Sequence, residues 1–376
     1  MKVIAFYLPQ YHRIPENDRW WGEGFTEWTN LKKARPLFEG HYQPRVPLNG
    51  NYYNLLEDDV KVWQCKIARE HGIYGFCFYH YWFDGKMLLE KPMEQYLANP
   101  KCDLPFCICW ANEHWTNAWV SKKDSVLIEQ RYGERDQWVE HFNYFLPFFL
   151  DERYIKEDGK PLVVIYRPEL IDVLNDMLDC WQEKAIENGL PGLVFAYQHV
   201  SYDNITDKDD SRFKYAIEYQ PGYAQRDMDS DLFKSLKKIK GNINLFLEKH
   251  LKVTVDIHKL ISSDQRLNIT DYDAVWESLL KRVPPSEKYI PGAFVDWDNS
   301  PRRGDGGRIF VGGNPEKFES YFKRLIDRAT RVYKKDYIFV FAWNEWTEGG
   351  YLEPDEKYGY GYLEAIKKAL EEACSK

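Results

Sequence analysis

Lys2-Val3-Ile4-Ala5-Phe6-Tyr7-Leu8-Pro9-Gln10-Tyr11-His12 opens the chain, and Tyr337-Ile338-Phe339-Val340-Phe341-Ala342-Trp343-Asn344-Glu345 comes near its end. Both stretches read alike. A short apolar run without polar alternation gives way abruptly to Tyr, Trp, His, Asn and Glu. Such a run suits a strand buried on both faces, as a parallel sheet requires. Six more runs of the kind lie between them, at Gly75–Tyr79, Pro105–Trp110, Leu162–Tyr166, Leu193–Tyr197, Tyr215–Tyr219 and Gly292–Val295. Helical patterns separate most of them, at Asp58–Glu70, Asp136–Leu150, Glu169–Glu187, Pro315–Val332 and Gly361–Ala373. Asn314-Pro315 places proline at a helix start, while His71-Gly72 and Asn188-Gly189 read as helix stops. Strand alternating with helix eight times predicts an α/β chain folded as one closed (β/α)₈ TIM barrel over residues 1–376. An open doubly wound sheet is the alternative, but no G-x-G-x-x-G follows the first strand. Two long excursions, 20–54 and 223–289, interrupt the alternation, and long loops after barrel strands build or cover the active face.

Composition narrows the function classes. A formal net charge of −8 disfavours a nucleic-acid or anionic-membrane partner. The basic runs Lys32-Lys33-Ala34-Arg35 and Lys234–Lys240 are short and read as solvated faces. Cysteine is odd in number, at seven, and shows no C-x₂-C pairs with partner histidines. Cys77, Cys107 and Cys109 sit in apolar runs, where a thiol behaves as a small buried hydrophobe, so a reducing compartment fits. A strand begins almost at the first residue, leaving no room for a signal peptide, and the expected location is cytoplasmic. No apolar run approaches the ~18 residues of a membrane span. Walker loop and nucleophile elbow are both absent, and no cofactor is expected. Oligomeric state is not legible.

Residues able to do chemistry cluster after the strands, where barrel active sites are built. The strand ends read Tyr11-His12, His80-Tyr81-Trp82, Trp110-Ala111-Asn112-Glu113-His114, Tyr166-Arg167, Tyr197-Gln198-His199, Glu218-Tyr219, Asp296-Trp297-Asp298-Asn299 and Asn344-Glu345-Trp346-Thr347-Glu348. Aromatic faces cover the C–H patches of a pyranose while polar groups bind its hydroxyls, so an oligosaccharide or sugar-donor substrate is the expected partner. One Trp or Tyr at one strand end packs as readily as it binds. The same bias at eight ends favours a pocket. The expected lining is Tyr7, Tyr11, His12, His80, Trp82, Trp110, Asn112, Glu113, Arg167, Glu218, Asp296, Asn299, Arg302, Asn344, Trp346 and Glu353. Trp21, Glu27, Trp28 and His41 are expected to join it from the 20–54 segment, folded over the pocket.

Glu345 and Glu348 carry the sharpest signal. Glycosyl chemistry uses one carboxyl group to protonate the leaving oxygen and another as base or nucleophile. Three-residue spacing on a straight strand would send the two to opposite faces. The pair instead precedes Gly349-Gly350, and a turn brings such residues within about 7 Å at Cα. Convergence at roughly 5–6 Å between carboxyl groups is expected, near the spacing of retaining glycosidases. The competing class is metal chemistry, with His12, His41, His80, His114 or His199 meeting Asp296 or Glu218 as in a metal-dependent deacetylase. H-x-x-x-H and H-E-x-x-H spacings are absent, and no metal is expected.

At these residues the chain resembles the WbsX-type glycosyltransferases, which are related to glycoside hydrolase family 99. The resemblance covers nearly the whole chain. It rests on Phe6–His12, Trp20-Trp21-Gly22, Phe25-Thr26-Glu27-Trp28-Thr29-Asn30, Gly40-His41-Tyr42-Gln43-Pro44 and Phe78-Tyr79-His80-Tyr81-Trp82. Further matches are Cys109–Glu113, Trp297-Asp298-Asn299-Ser300-Pro301-Arg302, Trp343–Gly349 and Leu352-Glu353-Pro354. Family 99 implies a (β/α)₈ barrel with retaining endo-α-mannosidase or mannanase chemistry and an Asn-Glu-Trp-His-Glu-Gly motif. By that resemblance Glu345 would deprotonate the sugar 2-hydroxyl, giving a 1,2-anhydro intermediate, and Glu348 would act as general acid and then base. Thr347 stands where the hydrolase has His, which puts the hydrolase's substrate contacts in doubt and leaves both carboxylates in place. WbsX-type proteins occur with genes for O-antigen and capsule assembly, which implies a role in bacterial lipopolysaccharide or capsule metabolism. A barrel that binds carbohydrate without catalysis is the alternative, and a splayed glutamate pair or a pocket blocked by residues 20–54 would mark it.

Overall fold

The computed structural model describes residues 1–116, 126–199, 209–228 and 267–375. Its parallel strands fall on the apolar runs: β1 Lys2–Tyr7, β2 Ile73–Phe83, β3 Phe106–Trp110, β4 Lys160–Ile165, β5 Val194–His199, β6 Phe213–Glu218, a divided β7, and β8 Tyr337–Phe341. The two pieces of β7, Tyr289–Ile290 and Gly292–Phe294, flank Pro291, which has no N–H for a ladder. The first piece pairs with β6 and the second with β8, while β1 pairs with both β2 and β8. The ring therefore closes, and the expected barrel is the observed one. Gly292 stands at the closure, where an added Cβ would lie 1.8 Å from the Glu218 carbonyl oxygen.

Helices Asp58–Glu70, Arg135–Leu150, Leu174–Glu187, Pro315–Arg328 and Gly361–Cys374 alternate with the strands. Two differ from expectation. The helix read over 169–187 is preceded by a separate 3₁₀ turn, Pro168–Leu170, and starts at Leu174. The helix read to Val332 is α-helical only to Arg328, then widens into a π turn that ends at Lys334, whose φ is 54°. β2 runs on to Phe83 because it pairs back with Lys86–Leu88 through Asp84-Gly85, both at positive φ (50° and 87°), the geometry of a tight hairpin.

Cys77, Cys107 and Cys109 are fully buried in β2 and β3, and the seven thiols are unpaired. Of residues 223–289, the described part supplies a strand, Asn268–Asp271, which pairs with Arg308–Val311, and a helix, Tyr272–Lys281. It also supplies the helix Gly222–Met228 and the connection from Arg282 to Tyr289, while residues 229–266, with the 234–240 basic run, lie outside the described residues. No described helix is long and apolar enough to cross a membrane.

Candidate active site

A cavity of about 440 Å³ opens at the C-terminal ends of the strands, within the range of small-ligand sites. Its aromatic wall comes from alternate residues: Tyr79 and Tyr81 of β2, Tyr166 after β4, Tyr219 after β6, Trp297 after β7 and Phe341 of β8. Trp21, Phe25, Glu27 and Asn30 of the 20–54 segment close one side, and Glu113, Asn299, Arg302, Arg303, Glu345 and Glu348 add polar groups. Seven residues named from sequence are therefore in the cavity: Trp21, Glu27, Glu113, Asn299, Arg302, Glu345 and Glu348.

The others are not, and along most strands the reason is parity. Successive side chains of a strand face opposite ways, so a choice one residue off selects the wrong layer. His80 and Trp82 point into the sheet–helix layer. There His80 Nε2 lies 3.0 Å from His141 Nε2, and Trp82 stacks on His141 with ring centroids 4.4 Å apart. Trp110 packs against the same His141 and Trp181. The Tyr7 hydroxyl donates to Gln64 at 2.6 Å, and Glu218 pairs with Arg282 at 3.3 Å behind β6. Arg167 turns away to bind Glu113 and Glu169, and the Asn112 amide brackets the Arg167 backbone with two 2.8 Å bonds. These positions looked like binding groups because they are polar. Each instead has a buried partner that composition alone does not reveal.

His12 is buried with Nδ1 on the Pro9 carbonyl at 3.0 Å, and burial lowers its pKa to about 4. Trp28 packs on Tyr11, Tyr53 and Trp346 and donates to the Tyr53 carbonyl. The histidine convergence that the competing metal reading required is not observed among the described residues. His41 goes to Asp298, His80 to His141, and His114 Nδ1 accepts from the Gln130 N–H. Among the described residues no group of three or more His, Cys, Asp or Glu could hold a metal.

Glu345 and Glu348 do converge. Residues 346–348 form a single 3₁₀ turn ended by Gly349 at φ +74°, a backbone few side chains adopt. Both carboxylates meet the same guanidinium: Arg302 Nη1 is 2.7 Å from Glu348 Oε1, and Nη2 is 3.3 Å from Glu345 Oε2 and 3.1 Å from Glu27 Oε2. Burial pushes the Glu345 carboxyl up to about 8, partly offset by Arg302 and reinforced by Glu348 and Glu27. Glu348 is raised by the same burial. Two buried carboxyls that cannot both ionise readily hold a proton near neutral pH.

The profile described as Glycosyltransferase WbsX matches residues 3–366. The chain belongs to that family. It is also 34% identical over 373 residues to a protein of Xanthomonas campestris pv. campestris named "Uncharacterized protein WxcX", covering 99% of this chain and 50% of the relative. The chain thus spans about half the length of the curated relatives it matches. Its fold is similar to that of a GH99 endo-alpha-mannosidase from Bacteroides thetaiotaomicron, with TM-score 0.54 and 13% identity over 99% of this chain and 97% of the other. A protein described as glycoside hydrolase-like is similar with TM-score 0.54 and 15% identity, covering 98% and 93%.

The remaining sequence-named residues of this WbsX-family chain lie beneath the glutamate turn. Asn344 stitches β8 to β1 through both polar groups of Leu8, at 2.8 and 3.0 Å, and the Tyr11 hydroxyl binds the Asn344 carbonyl. Trp346 lies on Tyr351 with centroids 3.8 Å apart and donates to Glu353 at 2.7 Å. Glu353, pushed by burial up to about 7, also accepts from Gln64 at 2.7 Å and Tyr53 at 2.9 Å. From the other side, Asp298 accepts from Gln43 at 2.7 Å and from His41 Nε2 at 2.8 Å, whose Nδ1 takes the Leu37 N–H. The Asp298 backbone N–H holds the Glu348 carbonyl at 2.7 Å, and Arg45 joins Asp296 to the Gly349 carbonyl. Tyr11, Asn344, Trp346, Glu353, His41 and Asp296 therefore hold the turn in place rather than line the cavity.

Proposed function

We propose that the chain catalyses glycosyl transfer or glycoside cleavage on an oligosaccharide, with Glu345 and Glu348 as its acid–base pair, in bacterial surface-polysaccharide metabolism. The observation that carries this reading is the convergence of both glutamates inside an aromatic-walled cavity. An open cavity with a converged pair also speaks against the binding-only alternative. In the scheme implied by the family 99 resemblance, Glu345 takes the proton of the sugar 2-hydroxyl as that oxygen attacks the anomeric carbon. Glu348 protonates the departing oxygen, then deprotonates the water or acceptor hydroxyl that opens the anhydro ring, while Glu345 returns its proton to the freed 2-oxygen. Each step needs one carboxyl protonated and one ionised, which the raised pair supplies. Arg302 lies nearer Glu348 than Glu345 in the substrate-free cavity. That distance favours an ionised Glu348, so the direction of the assignment calls for a kinetic test.

Glu345→Gln and Glu348→Gln should each lower kcat about 10²- to 10⁴-fold on a panel of oligosaccharides, with dissociation constants little changed. A substrate with an activated leaving group needs no protonation. It should rescue the variant lacking the acid, Glu348→Gln, and leave Glu345→Gln slow. Rescue of Glu345→Gln alone would exchange the two roles. Unchanged turnover in both variants would remove the pair from the chemistry altogether.

A further inference from the structure

Arg302 serves three carboxylates, and the third, Glu27, lies in a different part of the chain. Glu27 opens the helix Glu27–Lys33, Arg302 sits on the short helix Ser300–Arg303, and the glutamate pair brackets the turn Trp346–Glu348. These three segments pack on one another at the rim. Glu27 is 4% exposed, and its Oε2 receives both Arg302 Nη2, at 3.1 Å, and the Thr347 hydroxyl. Thr347 is itself fully buried, between the two glutamates in sequence. One oxygen of this carboxylate is thus committed to holding Arg302 and Thr347.

We propose that Glu27 is a positioning residue which, anchored by Thr347, seats the Arg302 guanidinium across Glu345 and Glu348, so that one positive charge is divided among three carboxylates. The division leaves the pair under-neutralised. A single guanidinium given wholly to Glu345 and Glu348 would favour their ionised forms, whereas a third carboxylate beside it both competes for the charge and adds its own repulsion. The other groups facing the pair do not replace this balance. Tyr11, Tyr79, Tyr81, Tyr166 and Tyr219 are buried phenols whose pKa is raised, so they stay neutral. Arg303 adds a weaker attraction on Glu348. Glu27 thus works through Arg302, with no contact to reacting atoms required. The proposal rests on the acid–base reading of the pair for its consequence, but its test does not need a substrate.

The test follows the ionisation of the glutamate pair directly, by carbonyl NMR of the full chain labelled at glutamate side-chain carbons. Resonances are assigned with Glu345→Gln and Glu348→Gln. Glu27→Gln removes the competing charge and should lower the pair's titration midpoints by about one pH unit or more. Glu27→Asp keeps the charge and should leave them near the wild-type values. Thr347→Val, which removes the anchoring hydroxyl, should shift the midpoints, and Thr347→Ser should restore them. This second pair serves even where the Glu27 variants fold poorly. Midpoints unmoved in a folded Glu27→Gln, or moved equally by Glu27→Gln and Glu27→Asp, overturn the proposal. Midpoints that move in a protein inert towards every glycan would sink the proposed function and leave the positioning role standing.

Discussion

Glu345 is a carboxyl in a site with too few positive charges to ionise it readily. Burial acts first, and Glu348 and Glu27 add to it, so its pKa stands at about 8 where an ordinary glutamate has 4.5. Below that value the pair keeps a proton and contains both an acid and a base. Above it both carboxyls are ionised, and nothing remains to protonate a leaving group. kcat/KM should therefore fall as pH rises through about 8, and the descending limb should vanish for substrates with activated leaving groups. A profile flat to pH 10 with ordinary glycosides would contradict this. The two glutamates were legible from spacing and from the glycines after them. The walls were not, because Tyr79, Tyr166, Tyr219 and Trp297 face the cavity while their neighbours His80, Arg167, Glu218 and Asp296 face away. Residue type separates polar from apolar. Only parity separates inside from outside, and it could have been read two residues at a time from any inward-facing aromatic.

Among the elements, the turn 346–349 and the segment 20–54 depend on each other. Their junction is Asp298, fully buried, accepting from Gln43, His41 and the Ser300 N–H while its own N–H holds the Glu348 carbonyl. Burial alone would raise its pKa, but the His41 bond, the Arg45 charge and the other donors prevail and bring it to about 2. A pKa depressed from the ordinary 3.8 contributes stability that is complete above that value and is lost as pH falls towards 2. Asp298→Ala should cost about 3–5 kcal/mol by leaving the buried donors of His41, Gln43 and the Ser300 N–H without their acceptor and should lower kcat as the glutamate turn loosens. A loss of stability under 1 kcal/mol in denaturant melts would show the junction to be dispensable. The aromatic content of residues 20–54 signalled that the segment packs on something. Which of its side chains reach the cavity was half legible: Trp21 and Glu27 do, while Trp28 and His41 turn inward to Tyr53 and Asp298.

At the scale of the molecule, eight apolar runs were enough to foresee the barrel, and seven of its strands begin within two residues of the expected starts. The eighth, β7, was legible only in part, because Pro291 splits it and its first piece, Tyr289–Ile290, is too short to stand out in a sequence. Closure depends on Gly292, whose missing side chain admits the Glu218 carbonyl. Gly292→Ala should therefore destabilise the fold by about 1–3 kcal/mol or more, as overpacking does, visible as a lowered Tm. An unchanged Tm would mean that β6 and β7 have slack. The same division has a further consequence, in time rather than in structure. β7 meets β6 through two register pairs and β8 through three, whereas β2 meets β1 and β3 through five each. Fluctuations that part the ring should begin at this seam. In hydrogen–deuterium exchange the amides of Ala216 and Phe339, which donate to Lys288 and Pro291, should lose protection before those of Phe6 and Cys77. The barrel would then breathe like a bracelet at its clasp, beside β8, whose chain runs on directly into the two glutamates.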